Sequence, residues 1–426
     1  MNTPQTRPES PDGRQEAAPT KTDELVFHPS PGPSLGVEVE LQILDRETGD
    51  LAPGAVRILK ACAEESLEGT SAELMQSMLE VKTGVCRSVD EVRDQLFPRI
   101  RRVRNIASSL GYELAMGGTH PFHRSSTSTI FPAERYERIL DRLAWLTYQR
   151  VVFGLHVHVG VPNGDMAIGA INLLMQYLPH LIALSASSPF WQGVDTGMAS
   201  SRIALYRLLP HAGLPLYFSN WKEFRRYCKV MMDCQTIASF KDIYWDIRPR
   251  PDFGTIEFRV CDMPMTLAET LRLVALIHCL AISGLRLLEE RPRLRRGDIR
   301  RHWIAVENKW LATRYGLGAL YVRTPSGKRR PLATDLADLV EKLLPVAREV
   351  GEESHLASIR PVDKLVAGAD RQRQLYREKG NWKALVDAMA GQLLHELGEA
   401  EASAARFAPT SNGPVVSPAL NKSAGN

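Results

Sequence analysis

The sequence predicts an α+β fold, with an antiparallel sheet that carries helices on one face and leaves the other open. Three observations lead there: strands that alternate between apolar and polar residues, frequent helix-start signals between them, and the lack of a strand–helix–strand rhythm typical of parallel sheets. The alternating stretches are residues 35–43, 153–161 and 254–261. Successive strand side chains point to opposite faces, so Glu38 shares a face with Glu40, His156 with His158, and Glu257 with Arg259. Cys261 has the parity of Glu257 and is expected beside it in a structural role. The apolar partners are Val37, Val39, Leu41, Leu155, Val157, Val159, Ile256, Phe258 and Val260. If the three strands share a sheet, its open face carries three carboxylates, two imidazoles and a guanidinium. Such a face suits metal ions and phosphates rather than a core.

Along the chain, Ser88-Val-Asp-Glu91 reads as a capping box opening a helix that runs to Gly111, with a kink expected at Pro98. Pro132 suits a first helical position before a helix over residues 135–148, and Asp165 is expected to cap the apolar helix that follows His158. Thr266-Leu-Ala-Glu269 is a second capping box, immediately after the Glu257 strand. Further helices are expected over residues 300–315, 333–350 and 382–397, with Gly398 ending the last. Residues 171–191 and 271–288 are the most apolar. The first contains Pro179, His180 and three serines; the second contains Arg272, His278, Ser283, Gly284 and Arg286. Polar atoms at that frequency are too costly in a bilayer, so both are expected as buried helices.

The 426 residues, 44% hydrophobic and 24% charged, supply ample material for a core. The 53 Lys and Arg nearly balance 49 Asp and Glu, which does not point to nucleic acid or a membrane as partner. Six cysteines without a C-x-x-C pair or a secretory signal fit a reduced, cytoplasmic compartment. Residues 1–34 contain seven prolines and no apolar periodicity, so a disordered leader is expected there, with a disordered tail over 407–426 and one domain over 35–406.

Glu38 and Glu40 would stand roughly 6–7 Å apart on one strand face and repel unless a cation lies between them; the alternative is an exposed edge strand with solvated glutamates. Glu73 and Glu80 are seven residues apart, two turns if helical and opposite faces if extended, so periodicity alone does not place both in one cavity. Two histidines at i and i+2 in a valine-rich strand can present two nitrogens to a metal, and spacing does not choose between them. Glu257 can hold a divalent cation while Arg259 reaches a phosphate oxygen; the alternative is a same-face ion pair. Carboxylates with an arginine suit nucleotide phosphates bound through Mg²⁺, with Mn²⁺ as the alternative because of histidine. No P-loop, no G-x-G-x-x-G after a strand and no G-x-S-x-G elbow occurs.

In this order, Gly36-Val-Glu-Val-Glu40, Glu80-Val-Lys-Thr-Gly-Val-Cys86, Gly118-Thr-His-Pro-Phe122, Gly154-Leu-His-Val-His-Val-Gly160, Ser187-Ser-Pro-Phe-Trp191, Gly254-Thr-Ile-Glu-Phe-Arg-Val-Cys-Asp262, Glu307-Asn-Lys-Trp310 and Ala369-Asp-Arg-Gln372 form a specific series. The chain thereby resembles the type 2 glutamate–cysteine ligases, or carboxylate–amine ligases, which share the glutamine synthetase-like fold. The resemblance implies a curved antiparallel sheet forming an open trough, with helices on the outer face and metal ions and ATP phosphates on the concave one. It implies Glu38, Glu40, Glu73, Glu80, His156 and Glu257 as metal ligands and Arg259 as the phosphate contact, with Glu257 and Arg259 central to catalysis. It favours His156 over His158 as ligand and leaves His158 beside the substrate. Arg202 would clamp a substrate carboxylate, and Lys309 and Arg314 would make polar contacts to the nucleotide.

The implied reaction is ATP-dependent amide formation with Mg²⁺. A glutamate carboxylate takes the γ-phosphoryl group, and an amine, nominally that of cysteine, displaces phosphate. No residue is assigned as base for the amine. The expected partners are an amino acid and an amine, with a homo-oligomer left open. Two other readings are a metal-dependent amide hydrolase, which requires a parallel β/α barrel and late metal-binding histidines, and a non-catalytic ATP-binding protein. Of the later histidines, His180, His211, His278, His302, His355 and His395, none lies in a barrel-strand context.

Overall fold

The computed structural model describes residues 25–30, 32–291, 302–323 and 327–398. Its centre is a seven-stranded antiparallel sheet. In chain order the strands are β1 (Leu35–Asp45), β2 (Thr70–Ala72), β3 (Met78–Lys82), β4 (Tyr112–Ala115), β5 (Gly154–Gly160), β6 (Ile247–Arg250) and β7 (Thr255–Asp262). They lie in the spatial order β6-β7-β5-β1-β3-β2, with β4 also paired to β1. The three alternating stretches are therefore adjacent, and the antiparallel trough is not the barrel that the hydrolase reading requires.

Alternation fixes which face is which. Val37, Val39, Leu41, Ile43, Leu155, Val157, Val159, Ile256, Phe258 and Val260 are each at most 1% exposed and join one large apolar cluster. Burying each such side chain contributes about 1.5–3 kcal/mol, so a one-residue slip that turned β1 over would be prohibitive. Helices Val89–Ser109, Gly164–Leu174, Leu178–Ser185 and Leu267–Glu290 cover that face. The last, and the helical stretch Gly164–Ser185, are long and apolar enough to cross a membrane by length and composition, but most of each is buried inside the protein.

The alternation fails once. Phe258 lies opposite Val157 and Cys261 opposite Leu155, so β7 uses three steps where β5 uses two, which is a β-bulge. Beyond it the parity reverses. Cys261 joins the apolar cluster instead of the Glu257 face, and Asp262 faces the open side opposite Gly154.

Helix starts follow capping chemistry, with corrections. Ser88 accepts from the amide of Glu91 and Thr266 from that of Glu269, as expected, but the Glu91 carboxylate accepts from Arg87 rather than closing the box on Ser88. Asn163, not Asp165, caps the helix after His158. Asp165 lies in its first turn and accepts from the Trp221 amide. Pro132 lies outside the helix Glu134–Leu143, which then tightens into a 3₁₀ segment, Ala144–Arg150. The helices His302–Tyr315, Leu332–Glu349 and Trp382–Glu396 match expectation, and Gly398 has the positive φ that ends the last.

Part of the expected leader is packed. Phe27 meets Trp221 edge-on at 5.4 Å, the His28 amide donates to Pro251, and Leu25 packs on a small aromatic cluster with Phe218, Phe224 and Trp245. Apolar periodicity could not reveal this, because isolated apolar residues dock one at a time. Residues 1–24 and the expected tail lie outside the described residues. All six cysteines are free.

Candidate active site

Register brings the polar residues into rows across the open face: Glu38 lies opposite His156, His158 opposite Glu257, and Glu40 opposite Glu80. Side chains opposite one another on antiparallel strands are close enough to interact directly. His156 Nδ1 is 3.3 Å from Glu38, and its Nε2 is 3.7 Å from Glu40 with no hydrogen-bond partner. His158 Nδ1 bonds the Thr255 hydroxyl at 3.0 Å, and its Nε2 lies 3.5 Å from Glu38. Ligand atoms of Glu38, His156 and Glu257 lie within 4.8 Å of one another. Burial, helped by the Arg259 charge, pushes the His156 imidazole down to about 4, so it is neutral and able to ligate at physiological pH. Burial works to raise the Glu38 carboxyl, but hydrogen bonds from His156 and His158 outweigh it and hold that group well below the usual range.

At this end sits an arginine cluster around Glu257, which is fully buried. Arg248 donates to it at 2.7 and 3.4 Å, Arg250 at 3.1 Å, and Arg259 through a further short contact. Burial alone would raise the Glu257 carboxyl, yet Arg248 and Arg259 hold it well below the usual range. A carboxylate has about four acceptor positions, and the guanidiniums fill them. A cation at Glu257 would therefore have to share it with, or displace, a guanidinium.

The other end is acidic. Between Glu73 and Glu80 the chain leaves β2, turns and returns as β3, which places two residues of unfavourable spacing on one site. Burial, then the charges of Glu80 and Glu40, push the Glu73 carboxyl well above its ordinary value. Burial and Glu38 raise Glu80, although Ser71 donates to it at 2.8 Å and Lys82 approaches to 3.4 Å. Burial also raises Glu40, which Arg202 and the Gly154 amide partly offset.

Arg202 lies in the first turn of the short helix Ser201–Tyr206, and its guanidinium lies against β5, where a Cβ on Gly154 would collide with it. It donates to the Arg259 carbonyl at 3.2 Å, while its Nε has no partner. Asp262, brought to this face by the bulge, fixes the helix start. It accepts from Ser188, Ser200 and the Ser187 amide at 2.6, 2.8 and 3.0 Å.

Lys309 and Arg314 are placed differently from the other candidates. The Lys309 ammonium pairs with Asp246 at 2.6 Å and lines a cavity of about 350 Å³ with Ile203, Ala204 and Trp310. Arg314 donates to the Gly197 carbonyl and lies over the Tyr315 ring. Neither side chain has a described contact with the acidic and histidine rows, because each is held by a partner near its own helix.

Four residues of the site went unpredicted. Arg248 and Arg250 alternate with apolar neighbours one strand before β7, so the rule that found Glu257 could have found them. Tyr206, whose hydroxyl accepts from Arg259, and Arg150, whose charge acts on Glu73, end helical segments, and no pattern marks them.

The donor set fits divalent cations of the Mg²⁺ or Mn²⁺ kind. Glu38, His156 and Glu257 offer converging oxygen and nitrogen ligands, and the mutual repulsion of Glu40, Glu73 and Glu80 is of the sort a cation relieves.

Comparison with known proteins identifies the family and the fold. The family described as Glutamate-cysteine ligase family 2 matches residues 34–392. A protein of Thermobifida fusca, provisionally named glutamate–cysteine ligase 2, is 39% identical over 394 residues, covering 91% of this chain and 98% of its own. A protein of the same provisional name from Gloeobacter violaceus is 39% identical over 370 residues, covering 86% and 99%. Among solved structures, a glutamate–cysteine ligase of Francisella tularensis in complex with AMP aligns with a TM-score of 0.59 at 12% identity, over 91% of this chain and 97% of that one. A bifunctional glutathione synthetase of Pasteurella multocida aligns with a TM-score of 0.63 at 14% identity, over 86% of this chain and 52% of that one. At those identities the likeness is one of fold. The chain belongs to glutamate-cysteine ligase family 2 and is a carboxylate–amine ligase of that kind.

Proposed function

We propose that this member of glutamate-cysteine ligase family 2 activates the side-chain carboxylate of glutamate with ATP and joins it to an amine, nominally cysteine, giving a γ-glutamyl amide. One observation carries the reading: Glu38, His156 and Glu257 converge on the same buried face as the guanidiniums of Arg248, Arg250 and Arg259. Such a face accepts a cation and polyanionic phosphates together. Names of relatives supply the nominal amine.

Arg259 and Arg250 are stored on Glu257 and can turn to phosphate oxygens, placing fixed positive charge where negative charge accumulates as the carboxylate attacks phosphorus. Arg202, with a free Nε, would hold a carboxylate of the acid substrate. Glu38, Glu40, Glu73, Glu80, His156 and Glu257 would hold Mg²⁺, which when bound screens the phosphates and polarises the γ-phosphoryl group. The first step forms an acyl phosphate and ADP; in the second the amine nitrogen replaces phosphate at the acyl carbon. A cytoplasmic location, where ATP and reduced thiols occur, belongs to the same reading.

The test is to incubate the purified chain with ATP, Mg²⁺, glutamate and a panel of amines. Amide and ADP should appear in equal amounts, most with the true acceptor. ATP binding with no ADP release above background, whatever acid or amine is added, would instead favour a non-catalytic nucleotide binder.

A further inference from the structure

Tyr206 ends the short helix that carries Arg202 in its first turn, and the residue is half-buried. Its hydroxyl oxygen lies 3.4 Å from the donating Arg259 Nη2, and Arg150 is near enough for its charge to act on the same phenol. Arg202 lies over the ring at 5.4 Å from its centre. Three guanidiniums from three separate segments thus surround one phenol. Arginine donates and never accepts, so the oxygen is held as an acceptor by cations that cannot be discharged. The Glu40 charge also acts on it, and the Tyr244 ring lies 6.3 Å away. Arg150 has two buried nitrogens without partners, so this is not a saturated structural network.

The phenol also stands in a telling place. Arg259 bridges Glu257 and Tyr206, so a phosphate drawn to Arg259 comes to rest beside the Tyr206 oxygen. Amide formation needs an acceptor for the proton of an ammonium at that point, and the mechanism above supplies none.

We propose that Tyr206, as phenolate, is the base that deprotonates the amine substrate, an inference that rests on the ligase reading. The Tyr206 oxygen takes one proton from the ammonium, freeing the nitrogen lone pair. Nitrogen bonds to the acyl carbon, the acyl C–O bond to the phosphoryl group breaks with its electron pair going to phosphate, and the second N–H proton passes to that phosphate. Burial by itself raises the phenol, but the charges of Arg259, Arg150 and Arg202 outweigh it and bring its pKa below the ordinary value, as this role requires.

Hydroxylamine separates this role from any other. It is uncharged at neutral pH and attacks an acyl phosphate without a base, giving a hydroxamate. In Tyr206→Phe, which keeps the ring, amide formation from an ammonium substrate should fall about 10²-fold or more while hydroxamate formation stays at the wild-type rate. The residual amide rate should rise with pH until the amine's own pKa, whereas the wild-type rate levels off earlier. If Tyr206→Phe retains amide formation, or loses amide and hydroxamate together, the proposal is overturned. Wild-type protein that forms neither product defeats the ligase reading itself, a separate failure visible before any variant is made.

Discussion

The two ends of the polar face hold buried carboxylates by opposite means. At the β6–β7 end, Glu257 is surrounded by Arg248, Arg250 and Arg259, and its carboxyl is held well below the usual range. At the β2–β3 end, Glu73, Glu80 and Glu40 crowd one another, and the carboxyl of Glu73 is pushed well above it. The first end is complete without a ligand. The second carries repulsion that Lys82 and Arg202 only partly offset, which is the state expected of a site built around a cation. Strand pairing is the same at both ends, so the difference lies in which charges face each carboxylate, and a ligand must be recruited to one end while it exchanges partners at the other.

The largest expected effect distinguishes hub from spoke. Glu257→Gln leaves three buried guanidiniums without their anion and should destabilise the fold by about 3–5 kcal/mol as well as abolish turnover. Arg259→Ala leaves Glu257 with Arg248 and Arg250, so the fold should persist while kcat falls on the order of 10²–10³-fold, through loss of one charge-stabilising donor. From strand parity alone both variants would be expected to keep the fold. Thermal unfolding with steady-state kinetics checks this, and an unchanged Tm in Glu257→Gln would break the contrast.

A smaller effect probes the acidic end. The folded-state pKa of Glu73 lies above the unfolded value, so the native state keeps a proton that the unfolded chain has lost. Metal-free stability should therefore fall as pH rises through the raised value, while the depressed Glu257 contributes stability that is lost only as pH falls toward its own low value. Glu73→Gln should unfold at a higher temperature than wild type when both are metal-free, by a margin that grows as pH rises from the ordinary carboxylate range through the raised value and shrinks when Mg²⁺ is added. Its Mg²⁺ requirement for turnover should rise at least about tenfold. A pH-independent margin would mean that the carboxylates do not repel.

The smallest effect sharpens the comparison. Lys82 pairs with Glu80 at the acidic end, but its side chain is 43% exposed and 3.4 Å away. Lys82→Ala should cost less than about 1 kcal/mol by denaturant titration, since an exposed ion pair contributes little. A larger loss would give the acidic end a structural counter-ion.

The legible parts of the site were those written in alternation. Glu38, Glu40, His156, His158, Glu257 and Arg259 could be placed on one face because a strand's period is two and their neighbours are apolar. Arg248 and Arg250 obey the same rule, in a strand too short for its alternation to stand out. Glu73 was illegible without the family resemblance, because a turn converts its spacing to Glu80 into proximity. Lys309 shows the converse: a resemblance can nominate a residue, but only its neighbours show that its charge is paired with Asp246.

By itself the sequence determined which side chains share a face, where the long helices start and which face is buried, since these follow from periods of 2 and 3.6 and from local caps. Only the tertiary structure decided that β7, β5 and β1 are neighbours, that a bulge turns Cys261 inward and Asp262 outward, and that three arginines from distant segments meet at Tyr206. Local periodicity is a property of consecutive residues. The field at a site is a sum over charges that only the fold brings together.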